Sequence, residues 1–179
     1  MLDTLITSKT RVKLLVKFFL NPSSRSYLRS LANEFGESTN AIRLELNKFE
    51  EANLLCSDLE GNRKIYQANN QHPFYSTIHD LVRNYLGMDT LIEHIAENLG
   101  NVEEVYLTGD LSKGINSGVI DLILIGLDIK RDYLALLVEK AEKLVKRKVK
   151  YTLYNPSEFR QSALQLDQQG LFLLWQQDA

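Results

Sequence analysis

The chain has 179 residues, 44% of them hydrophobic and 25% charged, with a formal net charge of −2. That suits one compact domain or two small ones and excludes a chain that is basic throughout. A single cysteine excludes an intramolecular disulfide and a cysteine zinc cluster. No 18-residue apolar run and no small-residue cleavage site follow the start, so the expected location is the cytoplasm, with no membrane partner. Charge is uneven: residues 1–70 carry ten Lys/Arg against eight Asp/Glu, and residues 71–179 eleven against fifteen. The basic end is the one to face an anionic partner.

Residues 5–20, LITSKTRVKLLVKFFL, repeat apolar side chains at helical spacing, with Val12, Leu15, Val16 and Phe19 on one face. Pro22 restricts Asn21 and stops that helix. A second helix is expected in SYLRSLANEF, with Leu28, Leu31, Ala32 and Phe35 inward and Gly36 as its C-cap. Ser38 is the N-cap candidate of a third, whose buried stripe is Ile42, Leu46 and Phe49. That stripe leaves Thr39, Asn40, Arg43, Leu44, Asn47 and Lys48 on or near the open face. LLCSDLEGNRKIYQA then reads as strand, turn, strand, with Gly61 free to take the positive φ of a hairpin and Arg63 and Lys64 beside its tip.

Helix, short helix, helix and hairpin in this order form the winged helix-turn-helix pattern. A helix face of small polar and basic side chains suits the major groove, and a basic hairpin tip suits phosphate or the minor groove. The competing reading is a small α+β domain whose polar face meets only water. The stretch YLRSLANEFGESTNAIRLELNKFEEANLLCSDLEGNRKIYQANNQHPFY resembles the winged-helix repressors of the ArsR type, over residues 10–75. It is closest to a subgroup in which that domain precedes a nucleotidyltransferase-like one. EEANLL stands where the resemblance expects EEAGLL, so Asn53 occupies a position often in the left-handed region, which asparagine tolerates. The resemblance implies DNA contacts from Thr39, Asn40, Arg43, Asn47, Lys48, Arg63 and Lys64. Metal-sensing relatives use cysteine pairs and His/Asp clusters; Cys56 stands alone and reads as a small buried hydrophobe, so no metal site is expected.

HPFYSTIHDLVRNYLGMDTLIEHIAENLG, residues 72–100, reads as a helix with Pro73 in its first turn. Phe74, Ile78, Leu81, Val82 and Tyr85 form its apolar stripe; Gly87 interrupts it, and Leu91, Ile92 and Ile95 resume it. It either pairs with its copy in a dimer or only joins two domains; two half-sites favour the dimer. His72, His79 and His94 follow no metal-ligand spacing.

From Val102 the pattern becomes strand (VEEVYLTG), loop (DLSKGINSG), strand (VIDLILIG), helix with Tyr133, Leu136, Leu137, Ala141 and Val145 as its apolar side, and strand (KYTLY) running into a helix start at Ser157. GLFLLWQQDA is a candidate final strand. This describes a small mixed-sheet α/β domain. It resembles the minimal, MNT-like nucleotidyltransferases, whose motif is a strand ending Gly-Ser, a glycine-containing loop and a strand beginning Asp-x-Asp. Carboxylates two apart on a strand share a face and jointly hold a divalent cation. Gly109, Asp110, Gly114 and Asp121 occupy the motif, but Asp110 replaces the serine, Val119 stands where the first carboxylate belongs, and the later strand offers Tyr151, Thr152 and Leu153 in place of an acid. An ionised Asp110 accepts hydrogen bonds and donates none, which a triphosphate does not want. The motif is therefore degenerate, and Gly109 and Gly114 also read simply as turn glycines. Lys140, Lys143, Lys146, Arg147, Lys148 and Lys150 crowd one helix end and the next strand. They suit DNA backbone, a nucleotide, or simply a solvated helix C-terminus.

The expected fold is α+β: a winged helix (1–72), linker or dimerisation helices (73–100) and a nucleotidyltransferase-like domain (101–179). The expected function is a dimeric DNA-binding regulator, a repressor, with no cofactor or metal, whose second domain serves assembly or senses a small-molecule or nucleotide effector. The alternatives are an active nucleotidyltransferase using Asp110 and Asp121, and a protein-interaction module that does not touch DNA.

Overall fold

The computed structural model describes residues 5–99, 101–162 and 171–177. Gly100 of the expected linker, and Gly170, Asp178 and Ala179 of the expected final strand, lie outside the described residues. The chain mixes α and β structure and divides into two units, Met1–Tyr85 with Gly114–Asn116, and Leu86–Lys113 with Ser117–Ala179.

In the first unit, helix α1 (Lys9–Phe19) begins where the Ser8 hydroxyl accepts the Arg11 N–H at 3.2 Å. The expected stripe of Val12, Leu15, Val16 and Phe19 is buried, and Leu14 and Phe18 are buried with it. Strand β1 (Arg25–Tyr27) precedes helix α2 (Leu28–Phe35), which ends at Gly36 with φ 65°. The expected helix had absorbed Ser26 and Tyr27. They lie instead in the sheet, opposite Tyr66 and Ile65. Three residues are too few to show a strand period, and their partner is about forty residues away. Leu31 and Ala32 are buried as expected, whereas Leu28 and Phe35 are only half-buried.

Helix α3 (Thr39–Glu51) starts at Ser38, whose hydroxyl accepts the Ala41 N–H at 3.2 Å. After α3, Asn53 takes φ 56°, the left-handed conformation that a glycine or asparagine accepts most readily. Strands β2 (Leu55–Glu60) and β3 (Arg63–Ala68) close a hairpin at Gly61, φ 60°, and the sheet order is β1-β3-β2, all antiparallel. Cys56 is exposed, not buried. Strand alternation turns Leu55 inward, and its neighbour must face the other way. Helix α4 (Tyr75–Leu86) follows. Phe74 precedes it and is exposed, so it does not belong to the buried stripe, which is carried by Val82 and Leu86.

In the second unit, Gly87 at φ 78° separates α4 from helix α5 (Met88–Ile92), which runs into a π-helical turn, Glu93–Glu97. A β-carbon at Gly87 would lie 2.7 Å from Val145 Cγ1. Then come β4 (Val102–Thr108), the short helix α6 (Gly109–Ser112), β5 (Val119–Gly126), α7 (Arg131–Val145), β6 (Lys148–Tyr154), α8 (Pro156–Ser162) and β7 (Phe172–Gln176). The sheet order is β6-β5-β4-β7, with β5 and β6 parallel and the other pairs antiparallel. A parallel pair needs a crossover, and α7 supplies it. Ile120, Leu122, Leu124, Val105 and Leu107 of the central strands form the core with Leu134, Leu137, Val138 and Ala141 of α7.

Two expectations change here. The segment after Gly109 opens with one helical turn and is not loop throughout. Tyr133 and Leu136 are 44% and 57% exposed, because α7 buries the face of Leu134, Leu137, Val138 and Ala141. The helix carries apolar residues on two stripes, and periodicity alone does not say which one meets the sheet.

Candidate functional site

The first candidate site is the outer face of α3. Ile42, Leu46 and Phe49 anchor the inner face and are 0%, 0% and 6% exposed. Their spacing turns Thr39, Asn40, Arg43, Asn47 and Lys48 outward, and all five are exposed. The sequence did not reveal Glu45. It is buried, and it accepts Arg11 Nε at 2.9 Å and Lys48 Nζ at 3.4 Å. Burial pushes its carboxyl up, but the hydrogen bond and charge of Arg11, with Lys48, outweigh this and hold it below the ordinary range. An acid set between Leu44 and Leu46 gives no local sign of such a partner 34 residues away.

At the hairpin, Arg63 stacks on the Tyr27 ring, 4.9 Å from guanidinium carbon to centroid. Lys64 reaches back to Glu50 at 2.7 Å. Hydrogen bonds from Lys64 and Ser57 hold Glu50 below its ordinary pKa, and the Glu50 contact raises that of Lys64. Arg25 pairs with Glu60 at 2.6 Å beside the tip. The structure thus collects Thr39, Asn40, Arg43, Asn47 and Lys48 on one helix face and ties Lys64 to the end of that helix.

The second candidate site lies at the junction of β4, α6 and β5. Thr108 pairs in register with Asp121, and the Thr108 hydroxyl donates to the Asp121 carbonyl at 3.3 Å. Gly109 takes φ 67°, and a β-carbon there would lie 2.5 Å from Asp121 Oδ2. Asp121 is half-buried and Asp110 is exposed. Of the four motif residues, Gly109 and Asp121 lie against each other, Asp110 follows Gly109 in the same short helix, and Gly114, at φ 75°, counts with the first unit. The parallel register sets Lys150 beside Asp121 and Lys148 beside Val119. Residues paired across neighbouring strands face the same side, so lysines flank both positions where the resemblance expects carboxylates. That pairing joins residues 29 apart and is not legible from either strand. Among the described residues no group of three His, Cys, Asp or Glu side chains is placed to hold a metal ion. His79 donates from Nδ1 to the Phe19 carbonyl at 2.6 Å, and His94 does the same to Thr90 at 3.1 Å.

No family model and no curated protein matches this chain. Among solved structures, AF1382 from Archaeoglobus fulgidus is similar over 52% of this chain and 98% of its own, at 17% identity and a TM-score of 0.38. A Sulfolobus solfataricus protein described as a "putative nucleotidyltransferase" is similar over 57% of this chain and 88% of its own, at 18% identity and a TM-score of 0.38. Likeness at that level assigns neither a fold family nor an activity. No helix among the described residues is long and apolar enough to cross a membrane.

Proposed function

We propose that this protein is a DNA-binding transcriptional regulator, a repressor acting as a homodimer, whose first unit is a winged helix-turn-helix. The observation that supports this most is the seating of α3. One face is locked by Ile42, Leu46 and Phe49 and by the Arg11–Glu45 pair, and the other presents Thr39, Asn40, Arg43 and Asn47 to solvent. Such a rigid helix with short amide and guanidinium side chains outward is what base-edge recognition in the major groove requires. The β2–β3 hairpin, with Arg63 near its tip, serves as the wing against the DNA backbone.

The second unit is read as a nucleotidyltransferase-like domain working without chemistry, as an assembly platform or as the seat of a small-molecule or nucleotide effector. Val119 in place of a carboxylate and Lys150 in register beside Asp121 support that reading. A cation next to the remaining acid competes with the divalent metal that nucleotidyl transfer needs.

The test is titration of the full chain against labelled duplex from the region upstream of its gene, at several salt concentrations. Binding that weakens log-linearly with salt and favours that duplex over scrambled sequence supports the reading. Absence of binding even at low salt contradicts it.

A further inference from the structure

Leu44 stands on the outer face of α3 and takes no part in the packing of the inner one. It lies two residues after Ile42 and two before Leu46, both fully buried. At about 100° per residue, that sets it roughly opposite both, on the side of the helix farthest from the core. Leu44 is 55% exposed. The other exposed residues of α3 are Thr39, Asn40, Arg43, Asn47, Lys48 and Glu51, all polar or charged. Leucine is a strong helix former, so a single exposed leucine needs no explanation by itself. Its neighbours supply one. Asn40 is four residues before it, Asn47 three after and Lys48 four after, the spacings that set side chains next to each other on a helix surface. Leu44 is thus an apolar group in the middle of a surface of amides and cations.

Recognition helices meet base edges through their N-terminal residues. Leu44 lies in the second turn of α3, whereas Glu51, on the same stripe, is its last residue. On its major-groove edge an A·T pair presents the adenine N7 and N6 amino group, then the thymine O4 and 5-methyl group. An asparagine amide pairs with the two adenine positions, and the methyl group takes an apolar side chain. Asn40 with Leu44, and Leu44 with Asn47, each provide one of both kinds, with β-carbons about 5–6 Å apart. Against a G·C edge the same leucine would cover donors and acceptors without pairing them.

We propose that Leu44 is a specificity-determining residue, which packs on the 5-methyl group of a thymine in an A·T pair that Asn40 or Asn47 reads, or in the pair beside it. The duplex that α3 selects therefore contains A·T pairs at the centre of its contact. This inference rests on the reading of the first unit as a DNA-binding winged helix, and goes beyond it in naming the base.

The test is fluorescence anisotropy of the full chain on a labelled upstream duplex and on the same duplex with deoxyuridine in place of thymidine. That exchange removes the methyl groups and keeps every base-pair hydrogen bond. A scrambled duplex is the third arm. The wild type is compared with Leu44→Gln, which keeps length and helix propensity but not the apolar end. The control is Leu136→Gln, at a leucine of the second unit that is 57% exposed. The wild type is expected to bind the thymidine duplex about four-fold more tightly per contacted methyl group. Leu44→Gln is expected to bind the thymidine and deoxyuridine duplexes equally, and Leu136→Gln to keep the wild-type ratio. A wild-type ratio near one, or a ratio that Leu44→Gln retains, overturns this inference; preference for the upstream over the scrambled duplex then leaves the proposed function standing. Loss of the ratio in Leu136→Gln as well also overturns the inference. A wild type that binds none of the duplexes at low salt overturns both. A change of oligomeric state in Leu44→Gln by sedimentation equilibrium, with its ratio unchanged, gives the residue to a contact between copies and overturns the inference.

Discussion

Arg11 Nε lies 2.9 Å from Glu45 Oε2 and thereby joins α1 to the buried side of α3. Glu45 sits between Ile42, Leu46 and Phe49, so the helix proposed to read DNA is held by one charged clasp as well as by apolar packing. Glu45→Ala leaves Arg11 without its carboxylate. Because the guanidinium is 39% exposed, water compensates it in part. The expected loss is about 1–2 kcal/mol, near the lower part of the range for hydrogen bonds to charged groups. Urea unfolding measures it, and a midpoint equal to that of the wild type would remove the clasp from the account.

The same carboxyl predicts a pH dependence. Glu45, and Glu37 with its Lys13 and Thr10 partners, have native pKa values below the ordinary 4.5, because those partners outweigh the upward push of burial. A native value below the unfolded one means that the unfolded chain takes up protons first as pH falls. The contribution is complete above 4.5 and disappears as pH drops through the lowered native values. Unfolding midpoints are expected to fall from pH 5 to pH 3, and by less in Glu45→Gln than in the wild type. Equal losses in the two proteins would exclude Glu45 as a source.

Asn53 at φ 56° tests the turn between α3 and β2. Its carbonyl also accepts Asn69 Nδ2 at 2.9 Å, a contact that any residue at position 53 can keep. Asn53→Val places a β-branched residue in the left-handed region and is expected to cost about 1–2 kcal/mol, while Asn53→Gly costs nothing or stabilises slightly. Thermal unfolding of the two variants decides it; similar melting temperatures would contradict the assigned backbone.

Gly109 and Asp121 make a pair that a double-mutant cycle resolves. Gly109→Ala introduces a β-carbon 2.5 Å from Asp121 Oδ2 at a positive φ. It is expected to destabilise by about 1–3 kcal/mol, of which Asp121→Ala restores the part due to the clash. Strict additivity of the two changes would mean that the carboxylate does not lie against the glycine.

How far the sequence reached follows from what is local. Ser38, Ile42, Leu46 and Phe49 announce α3 because a cap and a helical period are contained in a dozen residues. Asn53 and Gly61 announce turns because left-handed backbone selects few residue types. Hydrophobic runs announce β5 in the same way. What escaped depends on distant partners. Ser26 and Tyr27 become a strand only opposite β3, and Glu45 is buried only because Arg11 meets it. Lys150 comes beside Asp121 only through the β5–β6 register. Tyr133 and Leu136 misled because α7 has two apolar stripes and only one meets the sheet. Cys56 is exposed although cysteine is commonly buried, because strand alternation turns its neighbour Leu55 inward.

The central claim is that the outer face of α3 reads base sequence. The most direct measurement is the ratio of affinities for upstream and scrambled duplex, at one fixed salt concentration, in the wild type and in Arg43→Ala and Asn47→Ala. The account predicts a wild-type ratio of about 10³ or more. Each substitution should reduce it by roughly 1–3 kcal/mol, about five- to 150-fold, with stability unchanged within about 0.5 kcal/mol. A wild-type ratio near one, or a high ratio that neither substitution alters, would contradict it.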